Sequence, residues 1–196
     1  VRNILFIIFG LVLFIILLNS CAPNIIPIKS NNVKIKEDFA LINKKDYDIA
    51  IQPQSWNDPP QNLENYFTIF YIIFRNKTKE AMPIDRDSFV LIDAQDEQYS
   101  LFDSDEVVEI MYGIDQYYDM NFLLNYDFKD KDELKEEYEN RLEGIRNIKL
   151  KALQFRKIRP NAQESGYIFF EKFEYKKNSI FKILYNDDVI KFAVTG

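Results

Sequence analysis

The chain has 196 residues, 47% hydrophobic and 15% aromatic, with a net charge of −6, no histidine and one cysteine. That supports one domain with a real core and excludes disorder over most of its length. The acidic balance argues against nucleic acid as a partner. Without histidine there is no Ser-His-Asp or Cys-His machinery and no imidazole zinc ligand, and a single cysteine forbids an internal disulfide.

The first element is an apolar run from Ile4 to Leu18 that contains the neutral Gly10. As a helix it would span roughly 22 Å, short of the bilayer core of about 30 Å and suited to the core of a signal peptide. Arg2 supplies a positive end, and the run closes on Leu18-Asn19-Ser20-Cys21. On Leu18, Ser20 and Cys21 the segment resembles a bacterial lipoprotein signal peptide, with Asn19 standing where a smaller residue is usual. The resemblance implies that residues 1–20 are removed and that Cys21 is acylated on sulfur and nitrogen. Several acyl chains anchor stably where one is marginal, at about 0.8 kcal/mol per buried CH₂. In the better-known sorting rule an Asp after the cysteine retains the protein at the inner membrane; Ala22 points to the outer one. The alternative is an uncleaved amino-terminal anchor helix with an incidental cysteine.

Residues 21–38 contain Pro23, Pro27, Ser30, Asn31 and Asn32, with isoleucines at 25, 26, 28 and 35, and read as an extended flexible tether. The domain is expected over residues 39–196. Tyr47, Ile49 and Ile51 alternate with polar or small residues as in a half-buried strand. Pro53, Trp56, Pro59 and Pro60 mark a loop. Tyr66 to Phe74 is almost continuously aromatic or β-branched and predicts a central strand covered on both faces. Met82-Pro83-Ile84 suits an edge, Ser88 to Ile92 a strand, and Tyr99 to Phe102 its hairpin partner.

A helical insertion is expected over about residues 103–147. Asp103 and Glu106 have capping-box spacing, as do Asp130 and Glu133. Val107, Val108, Met111 and Ile114 suit the first helix; Leu134, Tyr138, Leu142 and Ile145 suit the second, with Gly144 weakening its last turns. Strands resume where Ile148, Leu150 and Ala152 alternate with lysines. Pro160 to Gly166 reads as a loop and Tyr167 to Phe173 as a strand; Ile180 to Tyr185 and Val189 to Val194 flank a hairpin turn. Short strands with turn signals between them predict a mainly β fold, an antiparallel β-sandwich with a two-helix insertion.

The order apolar strand, Arg75-Asn76-Lys77-Thr78, Pro83-Ile84-Asp85, Phe89 to Asp93 and Tyr99 is followed near the carboxyl end by Arg159-Pro160, Gly166 to Phe170 and Phe192. This pattern resembles the immunoglobulin-like, telokin-like domains of many bacterial lipoproteins, over about residues 46–102 and 149–194. Asn76 and Gly166 are expected at tight turns. The resemblance implies an exported β-sandwich used in adhesion, assembly or scaffolding, and it brings no catalytic residues or cofactor.

Ser179 and Lys182 have S-x-x-K spacing, but in a strand they would face opposite ways. The acidic stretch from Asp93 to Glu109 lacks a calcium-loop pattern and reads as a solvated turn and helix start. No Lys or Arg occurs between Arg86 and Lys129, and within that gap Tyr112, Tyr117, Tyr118 and Phe122 stand in an aromatic crowd. Such residues are enriched at interface cores, so they are the candidate contact for an envelope protein partner; the alternative is that they cap the sandwich. Trp56 with neighbouring tyrosines is the candidate for a small-ligand or carbohydrate site, and a pair of carboxylates for a hydrolase is a third reading. The expected role is a non-enzymatic, lipid-anchored binding or scaffolding module of the bacterial cell envelope.

Overall fold

The computed structural model describes residues 24–113 and 131–195. Residues 1–20, Cys21, Tyr117, Tyr118, Phe122 and the capping box expected at Asp130 lie outside or across the edge of the described residues. The strands run in chain order β1 (Asn24–Ile28), β2 (Val33–Lys36), β3 (Phe39–Asn43), β4 (Tyr47–Pro53), β5 (Phe67–Asn76), β6 (Met82–Pro83), β7 (Phe89–Ile92), β8 (Gln98–Tyr99) and β9 (Leu101–Phe102). Helices α1 (Ser104–Tyr112) and α2 (Lys131–Lys151) follow, then β10 (Lys157–Ile158), β11 (Gln163–Glu171), β12 (Ile180–Tyr185) and β13 (Asp188–Thr195).

The strands form a five-stranded sheet ordered β1-β13-β12-β7-β8, a six-stranded sheet ordered β2-β3-β4-β5-β11-β9, and the small pair β10-β6. The fold is mainly β, and its strand pairings are antiparallel. The two large sheets face each other across an aromatic core. Phe70 on β5 meets Phe181 on β12 at 6.0 Å and Phe192 on β13 at 5.3 Å between ring centroids. At one end Tyr185 packs edge-on against Tyr47 and Phe74.

The apolar run of β5 is explained by a third layer. Alternate residues of a strand face opposite ways. Phe70, Ile72 and Phe74 enter the core between the sheets. Phe67 and Ile69 enter a second core with Trp56, Val107, Val108, Ile148 and Phe169, beneath the two helices. The insertion is therefore a cover on the outer face of the six-stranded sheet. The capping box of α1 is present: Asp103 accepts from the Asp105 and Glu106 backbone N–H groups, and Glu106 accepts from the Asp103 N–H at 2.7 Å.

The structure differs from the sequence reading at four places. Within the expected flexible tether over 21–38, the described residues carry two strands: β1 pairs with β13 and β2 with β3. Its isoleucines were the signal; Ile25 packs against the core, and Val33 is buried. The alternation at Ile148, Leu150 and Ala152 belongs to the end of α2 and its exit, because Ile145, Ile148 and Ala152 also fit helical spacing; Leu150 points outward at 70% exposure. Tyr99 to Phe102 is split, since Gln98–Tyr99 pairs with β7 whereas Leu101–Phe102 crosses to the other sheet and pairs with β11. The expected loop from Pro160 to Gly166 is already strand from Gln163, and Gly166 lies inside β11, opposite Ile72, and not at a turn.

Buried polar groups join the layers. Asp188 at 5% exposure accepts from the Tyr47 hydroxyl at 2.9 Å and pairs with Lys44 at 2.6 Å. Burial raises Tyr175 and Tyr185 to about 12, and burial with the adjacent Asp93 carboxylate raises Tyr99 to about 12. A folded-state value above the ordinary 10 means stability is full below pH 10 and is lost as the pH rises toward 12. Alkaline titration is therefore expected to unfold the domain in that window, with tyrosinate absorbance and loss of far-ultraviolet ellipticity rising together. Tyrosinate absorbance that keeps rising from pH 10 toward pH 12 while the ellipticity stays constant would contradict this.

Candidate functional site

The helical layer carries the sequence-predicted contact residue that can be placed. Tyr112 is the last residue of α1. Its ring receives the Arg141 guanidinium of α2 at 5.4 Å, and Arg141 donates to the Tyr112 carbonyl at 2.9 Å. The Tyr112 hydroxyl lies over Gly144, in space that a Cβ at that position would occupy. Gly144 therefore lets the tyrosine lie across α2, and burial raises the Tyr112 pKa against the opposing influence of Arg141. Tyr112 is half-buried and holds the two helices together. Tyr117, Tyr118 and Phe122 lie outside the described residues, so Tyr112 is the one of the four that is placed.

Trp56 is 4% exposed. Its ring packs edge-on against Tyr167 at 5.0 Å and Phe169 at 5.9 Å, with the Lys151 ammonium 6.0 Å from its centroid. Lys151 is held at 2.5 Å by Asp58, and the Trp56 backbone N–H donates to Glu64 at 2.7 Å. The indole is thus a core residue under the end of α2 and cannot present its face to a sugar.

A cleft of about 380 Å³ lies beside the start of β1, lined by Asn24, Ile25, Gln54, Ser55, Lys172 and Tyr175 among others. Lys172 donates to the Glu64 carbonyl at 2.6 Å and sits 5.8 Å from the Tyr175 ring. Burial lowers its pKa below that of an ordinary lysine. A second cleft, of about 430 Å³, lies by Arg86, Tyr99, Phe102 and Glu106. There Arg86 is taken up by Glu106 at 2.7 Å and Asp103 at 3.4 Å.

The remaining candidates are set apart in the fold or held by structural partners. Ser179 precedes β12, whereas Lys182 lies within it and pairs with Asp96 at 3.0 Å. Asp93 accepts from the Gln95 and Glu97 backbone N–H groups at 2.8 and 2.9 Å, closing the turn between β7 and β8. Among the described residues no group of three or more His, Cys, Asp or Glu is placed to hold a metal ion. No described helix is long and apolar enough to cross a membrane.

Sequence reasoning missed one surface, the outer face of the five-stranded sheet. Ile26, Ile180 and Val189 there are 41%, 50% and 39% exposed. The available signal was that β12 and β13 carry apolar residues at outward as well as inward positions, as β5 does.

No family model matches the chain, and neither a curated protein nor a solved structure matches it.

Proposed function

We propose that the chain is a bacterial cell-envelope lipoprotein, anchored through acyl groups on Cys21 and leaning to the outer membrane. Its immunoglobulin-like β-sandwich acts as a non-catalytic protein-binding or scaffolding module. The observation that carries the anchored reading is the join between Leu18-Asn19-Ser20-Cys21 and the fold. The first described strand opens at Asn24, three residues past the cysteine, so a chain that begins at Cys21 keeps every described residue of the fold. Two antiparallel sheets packed face to face support the immunoglobulin-like class. Asp188, Glu106 and Asp93 each hold a structural partner, which weighs against these three as a catalytic pair.

Mass analysis of the protein from its own envelope tests this. The expected material starts at Cys21 and carries acyl groups; a Cys21→Ser variant is expected to keep residues 1–20 and gain no acyl mass. Wild-type material with those residues attached and a bare sulfur would overturn the anchor. Affinity purification of the same material is expected to recover a stoichiometric envelope protein, and recovery of the chain alone would overturn the scaffolding role.

A further inference from the structure

The five-stranded sheet has an outer face that no described helix covers, in contrast to the helix-covered face of its companion; only Ile92, toward its β7 edge, is buried there at 8% exposure. Register organises this face into rows. Ile26, Ala193 and Ile180 align across β1, β13 and β12. Val189, Leu184 and Val90 align across β13, β12 and β7. Between these rows runs Ile28, Lys191, Lys182 and Ile92.

Lys182 and Lys191 are therefore directly opposed on neighbouring strands, an arrangement that destabilises a sheet. Only Lys182 has a local partner among the described residues, Asp96, which is itself 83% exposed. Surface pairs of that kind contribute little. Two ammonium groups set between rows of Ile, Val and Leu form a surface whose stems suit an apolar boundary and whose heads suit anions.

We propose that this face lies on an anionic lipid bilayer, with Lys182 and Lys191 at lipid phosphates and the aliphatic rows at the head-group boundary. The proposal rests on the anchored reading of Cys21. Two observations select the bilayer as occupant. First, β1 contributes Ile26 and Ile28 to the face and opens three residues after Cys21. Three extended residues reach about 10 Å, so an acylated Cys21 holds this face beside the membrane. Second, the chain carries a net charge of −6, yet the central row of this face is basic. An anionic surface therefore orients the domain with this face inward.

The test uses the full acylated chain in phosphatidylcholine vesicles containing phosphatidylglycerol and a head-group spin-labelled lipid. Pyrene is placed at Ala193→Cys or, on the helical layer, at Lys149→Cys; acylation leaves Cys21 with no free thiol. Quenching at position 193 is expected to exceed that at 149 several-fold, and a Lys182→Glu, Lys191→Glu double variant is expected to remove the difference. Equal quenching at both positions, a difference that survives charge reversal, or pyrene excimer emission from two stacked copies would overturn the docking. The mass of Cys21 is measured on the same sample: acyl groups with equal quenching overturn the docking alone, whereas a bare sulfur overturns the anchor and the docking together.

Discussion

Gly166→Ala is expected to destabilise the domain by about 3 kcal/mol, as an overpacked site does, and to lower its melting temperature by about 10 °C for a domain of this size. Gly166 sits within β11 where the chain leaving α2 passes over the strand. A Cβ there would lie 2.7 Å from both the Ala152 carbonyl carbon and the Leu153 Cα, with the Leu153 nitrogen closer still. These are backbone atoms and cannot rotate aside. They are also pinned, because the Leu153 N–H donates to the Tyr167 carbonyl at 2.8 Å and Ala152 bridges to Tyr167. Making room breaks this crossing and lifts Ala152 and Ile148 from the second core. Leu150→Ala is the matched control: at 70% exposure it is expected to cost little. Thermal unfolding followed by circular dichroism compares the two, and equal melting temperatures would refute the tight crossing.

Asn76→Asp is the second large effect and keeps the side-chain shape. Asn76 is fully buried at the end of β5. Its amide N–H groups are shared among the Glu80, Ile158 and Arg159 carbonyls at 2.8, 3.3 and 3.1 Å. Its oxygen accepts from the Thr78 N–H and hydroxyl at 2.9 and 2.8 Å. An aspartate keeps the two acceptor bonds, loses every donor and sets a negative charge against three carbonyl oxygens. Leaving buried polar groups unmade costs about 1–3 kcal/mol each and more when charge is involved, so a loss of about 4 kcal/mol is expected, exceeding that of Asn76→Ala. Because the buried carboxyl favours its protonated form, the Asp variant is expected to recover stability as the pH falls. Urea unfolding at two pH values checks this, and an Asp variant as stable as wild type at neutral pH would show that Asn76 does not hold these loops.

What could be read from residues alone was local. The β5 run, the Asp103–Glu106 box and the hairpin at Asn186 each announce themselves within a short window, and all three are present. The tether was misjudged because its partners are remote: Asn24 pairs with Thr195 at the other end of the chain. The end of α2 was misjudged because Ile148 and Ala152 satisfy a two-residue and a three-to-four-residue period at once. Gly166 looked like a turn residue because a close crossing of two backbones leaves the same mark in a sequence as a tight bend. For the candidate site, the aromatic crowding around Tyr112 was visible, but its use was not. Whether an aromatic faces a partner or a neighbouring helix depends on Gly144 and Arg141, some thirty positions away along the chain. The apolar outer face of the five-stranded sheet needs the register of four strands before its rows can be seen.

The antiparallel pairing of β1 with β13 also sets how the domain answers to load. Asn24 and Thr195 are opposed, so the first and last described strands end at the same corner. Tension between those two ends opens the five residue pairs of this ladder in succession, like a zipper, and needs little force. Tension between Asn24 and a point beyond Lys191 loads the same pairs together, in shear. Under the proposed anchor at Cys21, a domain gripped at its far side would resist being pulled from the membrane, while one gripped near Thr195 would yield first at β1.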